Sequence, residues 1–270
     1  MQLASHTVIH GYALLISVIF LVCAVVAKYI VEVSRGQLKV IGPGSYIYYA
    51  RRHYGKYQVW SYNVVRYTFH LRPGLALLLL IYPEVAGVLL ALSYVAEMFL
   101  LFRYHLVLFA SLSFAFCIIG IGVNGGYGAF VAAIDPAGLY AQPVAAFVKL
   151  LVVAMYSFSA IRKVRNGFMS GKVLEYGIRL SLSERKHPDH ILGSSRLIGI
   201  RVPWLSSKLM ALLVVVVELL VGVLMLMPYP SVSLVGVCLA MISQVGFTTM
   251  FPRTLLPFTI AAFSALVLWL

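Results

Sequence analysis

Acidic side chains are scarce. Eight Asp and Glu stand in 270 residues, and charged residues of both signs make up 11% of the chain, against about 25% in an average soluble domain. That deficit excludes a disordered chain, whose composition is polar and charged, and argues against a soluble enzyme. Cysteine is sparse too. Cys23, Cys117 and Cys238 each lie inside an apolar run with no C-x-x-C spacing, which excludes a disulfide framework and a paired-thiol redox centre and leaves packing as their role. No Lys or Arg precedes the first apolar run, whereas Lys28, Arg35 and Lys39 follow it. A cleaved leader carries its charge on the other side, so this run reads as a retained first span with its N-terminus outside. Residues 124–142 also contain no Lys or Arg.

Apolar surface is what the chain has in excess, at 62% of residues. An all-α, polytopic membrane helix bundle accommodates it, because a helix satisfies its own backbone hydrogen bonds in lipid. At about 20 residues per span, the length allows at most eight or nine crossings. The net charge of +13 on such a chain points to basic cytoplasmic loops and anionic lipid headgroups rather than to nucleic acid.

Apolar runs occur at 9–27, 74–102, 104–134, 143–161, 209–227, 231–251 and 254–270, with basic stretches at 28–72 and 162–208. The run 74–102 is too long for one upright helix, and Pro83 near its middle ends or kinks a helix. If the block before Pro83 is its own helix starting near Asn63, there are eight spans, and 20 of 21 basic residues fall on the cytoplasmic side with only Lys149 within a span. If 74–102 is one tilted helix, the two basic stretches fall on opposite sides, against the positive-inside bias. The expectation is seven to eight spans. Residues 1–62 supply the first span and a basic Tyr-rich interfacial segment, and 63–270 the main bundle.

Ionisable residues within spans are costly and are candidate functional groups. Here they are Glu84, Glu97, Lys149 and Glu218, the last two acids embedded in aliphatic runs. Each acid is either a structural ion-pair partner or part of a polar cavity for a substrate or proton. Residues 46–67 interleave seven tyrosines and Trp60 with Arg51, Arg52, Lys56 and Arg66, a composition suited to headgroup-level anchoring. His187, Asp189 and His190 flank Pro188, which breaks the helix that would align them on a metal, so a solvated loop is expected. Asn124-Gly125-Gly126 lacks the G-K-[ST] of a phosphate loop and reads as a turn.

Residues 156–174, YSFSAIRKVRNGFMSGKVL, are the most informative. A span ends in Arg162-Lys163, a polar break follows, and apolar residues at helical spacing over 174–182 predict an interfacial amphipathic helix. A half-desolvated lysine at such a junction is a residue type used as a base or nucleophile. The plainer reading is a positive-inside flank.

This stretch resembles the HTTM family, the membrane domain shared by vitamin K-dependent γ-carboxylases and many bacterial proteins. The pattern is a span ending in a small residue, a spacer and lysine, then an aromatic, a glycine and an amphipathic helix. Here that is Ser159-Ala160-Ile161-Arg162-Lys163, then Phe168, Gly171 and Leu174. Glu218 amid aliphatics with a Pro-containing exit, and Asn124-Gly125-Gly126 before Asp135-Pro136, are similar to the family as well. The resemblance covers roughly 63–257, and a looser version of the motif extends to DoxX- and MauE-like proteins. It implies Lys163 as a base, with Glu97 and Glu218 beside it in one polar cavity. It also implies a quinone or vitamin K-like lipid as cofactor, touched by Arg162, Asn124 and Gln244. Gly125 and Gln244 stand where family members carry histidines, and no large extra domain follows the bundle. The length resembles the small SdpB-type members, which help to mature or export secreted peptides. A peptide-maturation factor of the cell membrane is therefore expected. A quinone-linked redox protein and a non-catalytic subunit of a larger membrane complex are the alternatives.

Overall fold

The computed structural model describes residues 2–42, 45, 55–101, 103–123, 136–172, 207–250 and 252–268. Among them, all regular structure is helical. The α-helices are α1 (Gln2–Ser34), α2 (Gln37–Ile41), α3 (Gly55–Phe69), α4 (Arg72–Leu78), α5 (Pro83–Leu100), α6 (Tyr104–Val123), α7 (Pro136–Arg165), α8 (Ser207–Leu226), α9 (Pro230–Met250) and α10 (Pro252–Val267), with a 3₁₀ turn at Phe168–Ser170 after α7. Four helical segments are long and apolar enough to cross a membrane: Ala13–Ser34, Pro83–Leu100, Lys208–Leu226 and Ser231–Thr248. His105–Ile121 and Leu255–Val267 are apolar but shorter. The Asn124 turn, residues 46–54 of the Tyr-rich segment, the interfacial helix expected at 174–182 and the His187–His190 loop lie outside the described residues, whereas residues 55–67 of the Tyr-rich segment lie in α3.

Proline marks the helix starts. Pro83, Pro136, Pro230 and Pro252 each open a helix, where a missing N–H costs nothing and φ is preset. Pro83 does divide the long run 74–102. The block before it is less simple than one helix from Asn63. Helix α3 stops at Phe69 and α4 begins at Arg72, because Pro73 has no N–H to offer the Phe69 carbonyl. The Leu71 N–H bonds instead to the Thr68 carbonyl at 3.0 Å.

The chain forms two compact units, residues 1–149 with 260–270, and residues 150–259. In the first, α5 and α6 pack along their lengths, and α3, α4 and α1 assemble around them. Small residues set the α5–α6 spacing. A β-carbon on Gly87 would lie 2.5 Å from the Ser113 carbonyl oxygen, and one on Gly120 would lie 2.7 Å from Pro83 Cγ. Such close backbone approach is how helices pack where lipid supplies no hydrophobic driving force. Helix α1 is held to the end of α10 by Ser17 and Ser264, each hydroxyl reaching the other residue's carbonyl, with Phe20 edge-on to Phe263 at 6.0 Å. In the second unit, α8 and α9 form an antiparallel pair joined by a short turn at residues 227–229. A β-carbon on Gly236 would lie 3.0 Å from atoms of Leu224 and Met225.

Candidate functional site: two buried charge clusters

Among the described residues, each unit carries a cluster of ionisable side chains. In the second unit, Ser159 and Lys163 lie four residues apart on α7 and so share a face. Both reach Glu218, near the middle of α8. Ser159 Oγ donates to Glu218 Oε1 at 3.1 Å, and Lys163 Nζ hydrogen-bonds the same oxygen. The helices approach closely one turn further along, where a β-carbon on Gly222 would lie 2.7 Å from Ser157 Oγ. Lys163 sits in the last turn of α7, a favourable place for a cation against the helix dipole.

The chain beyond Lys163 folds back at two glycines. Gly167 and Gly171 have φ of 71° and 76°, a left-handed conformation that side chains with a β-carbon disfavour. The intervening 3₁₀ turn lies against α8. It places the Phe168 ring 5.6 Å from Lys163 Nζ, and Phe247 of α9 brings a second ring to 5.3 Å. The Lys163 side chain is 26% exposed and that of Glu218 5%. Glu218 Oε2 is buried without a hydrogen-bond partner among the described residues. The result is a cation–carboxylate pair under aromatic cover, open at the lysine end.

Gln244 belongs to the same unit and is hydrogen-bonded at both ends of its amide. Its Nε2 donates to Tyr156 Oη at 2.8 Å, and its Oε1 accepts from Thr259 Oγ1 at 3.3 Å. Tyr156 Oη in turn donates to the Ala240 carbonyl at 3.3 Å. These bonds tie α7, α9 and the middle of α10 together. Arg162 is exposed at the end of α7, and Asn124 lies outside the described residues.

Glu97 belongs to the first unit, where it meets partners that charge counting along the sequence assigned to a cytoplasmic loop. Arg72 Nη1 donates to Glu97 Oε2 at 2.6 Å, Nε to Ser93 Oγ at 2.8 Å and Nη2 to the Ser93 carbonyl at 3.2 Å. Lys28 Nζ bonds Glu32 and lies 3.4 Å from Glu97 Oε1. Glu32 Oε2 lies 3.7 Å from Arg72 Nη1. All four charged side chains are buried, Arg72 with only 1% exposed. Tyr94 and Phe69 offer ring faces to Arg72 at 4.5 and 5.4 Å, the geometry of a cation–π contact. Two cations face two anions, so the cluster sums to zero.

Lys28, Glu32 and Arg72 are thus buried ionisable groups that the sequence reading missed. One signal was present, the i, i+4 spacing of Lys28 and Glu32 at the end of an apolar run. Of the residues expected around one centre, the structure pairs Lys163 with Glu218 and gives Glu97 to Lys28 and Arg72. In comparisons with known proteins, no family model, no curated protein and no solved structure matches the chain.

Proposed function

We propose that the chain is a multi-pass protein of the cell membrane, of the HTTM type, that assists maturation or modification of a secreted peptide, with Lys163 as its base. The observation that carries this reading is the Lys163–Glu218 pair, half-open at a helix end between Phe168 and Phe247. Moving one proton along their hydrogen bond converts an ion pair into a neutral amine and a carboxylic acid. Net charge is zero on both sides, so the low-dielectric surroundings do not oppose the transfer as they would a lone charge. The freed amine is then a base at the open end of the pair, with the proton held on Glu218. The test is mass spectrometry of secreted peptides from cells with and without the protein. A peptide whose mature form vanishes on deletion is expected, and an unchanged secreted set rejects the reading.

A quinone or vitamin K-like lipid is the cofactor the resemblance implies. In the second unit, Lys163, the buried Glu218 oxygen and the Phe168 and Phe247 rings suit its polar aromatic head. When bound, such a group would supply the redox chemistry that this chain's own side chains lack. Quinone in the mild-detergent extract of a cell whose secreted peptides are unchanged by deletion favours a quinone-linked redox protein instead.

Seven to eight crossings remain the reading of the topology, with the end of α3 from about Asn63 and α4 together making one of them, and the basic segments before Asn63 and after Arg162 cytoplasmic. The one-sided distribution of Lys and Arg in this topology supports it. Single cysteines placed in a cysteine-free variant at 128 and at 186 are expected to react with an impermeant thiol reagent from opposite sides of the membrane. Labelling of both from one side refutes this topology.

A further inference from the structure

The four-charge cluster of the first unit holds two polar atoms without a hydrogen bond, one of them, Glu32 Oε2, in only a long ion-pair contact with Arg72. Tyr94 Oη and Glu32 Oε2 are buried and have no hydrogen-bond partner among the described residues. Tyr94 is fully buried. Its ring lies 4.5 Å from Arg72 Cζ and 5.5 Å from Lys28 Nζ, so the side chain packs directly against the charged groups. A buried polar group left unpaired forfeits its whole hydration, and natural folds rarely tolerate that. One of these atoms belongs to a donor and the other is a carboxylate acceptor, and they occur in the same cluster.

The charge balance says what they bind. Lys28 and Arg72 already neutralise Glu32 and Glu97, so an added ion of either sign would stand uncompensated in a low-dielectric interior. The occupant must be neutral, small, and able both to donate and to accept. We propose that this cluster is a hydrated site, with water bound at Tyr94 Oη and Glu32 Oε2 inside the helix bundle. Buried water characteristically makes two to four such bonds to otherwise unpaired groups.

X-ray hydroxyl-radical labelling of the purified full-length protein in detergent tests this, because radicals form where water is. Phe116 is equally buried in the same unit and serves as the internal control. Tyr94 is expected to be modified about tenfold faster than Phe116, because a bound water lies against its hydroxyl. Labelling of Tyr94 no faster than Phe116 overturns the proposal. Tyr94→Phe gives a second readout. Removing a water-bonded hydroxyl is expected to lower the thermal midpoint by about 2–4 °C, whereas an unchanged or raised midpoint means the hydroxyl was dry, and the proposal fails.

Discussion

Arg72→Met is expected to destabilise the first unit by about 3–5 kcal/mol, the cost of leaving a buried charge without its partner. The arithmetic of the cluster makes the expectation sharp. Lys28 and Arg72 balance Glu32 and Glu97, so removing Arg72 leaves two carboxylates against one ammonium. Glu97→Leu errs in the opposite direction and should cost a similar amount. The double variant Arg72→Met/Glu97→Leu restores neutrality, because the Lys28–Glu32 pair stands by itself. Ser93 also stays bonded there, through Thr68 Oγ1 at 2.7 Å. The double variant should therefore recover most of the loss, as replacement of a whole buried pair by apolar side chains commonly does. Cys117 is buried, whereas Cys23 and Cys238 are not. With those two replaced by serine, a thiol-reactive dye reports unfolding through Cys117 alone. A double variant as unstable as either single one would show that the cluster acts through shape rather than through charge balance.

The same cluster marks the limit of what a linear reading sees. The fold class was legible, because long apolar runs in a chain with few charges leave little but helices in lipid. The break at Pro83 was legible from backbone chemistry alone. So was the junction at Lys163, since a cation after a span, followed by glycines, describes a helix end and a turn. Lys28 and Arg72 were not, because counting Lys and Arg along the chain treats each as a solvated loop residue. Their assignment reverses only when Glu97, 69 and 25 residues away in sequence, is brought against them by packing. Glu97 and Glu218 illustrate the same gap from the other side. Both are lone acids within apolar runs, and nothing in either run says which cation it meets. The segment from Asn63 to Pro83 was half-legible. Its apolar end predicts a helix, but Pro73 divides the block, since it has no N–H to give the Phe69 carbonyl.

Lys163→Ala is expected to reduce formation of the mature peptide by about 10²–10⁴-fold, the range general base catalysis supplies. Alanine alone does not separate a base from a structural cation, because it also strands Glu218 without its ion partner in a nearly buried position. Lys163→Arg separates them. Arginine keeps the positive charge and can still bond Glu218 Oε1, but it does not give up its proton in a protein. If Lys163 is the base, Lys163→Arg folds normally and remains as inactive as the alanine variant. If the lysine only neutralises Glu218, arginine restores activity and the proposed chemistry is wrong. Glu218→Gln completes the argument. Glutamine still accepts the Ser159 hydroxyl but takes no proton, so lysine loses the acceptor that frees its amine, and activity should fall while the thermal midpoint changes little. Loss of activity in Glu218→Gln together with rescue by Lys163→Arg would move the proton-accepting role from the lysine to the carboxylate alone.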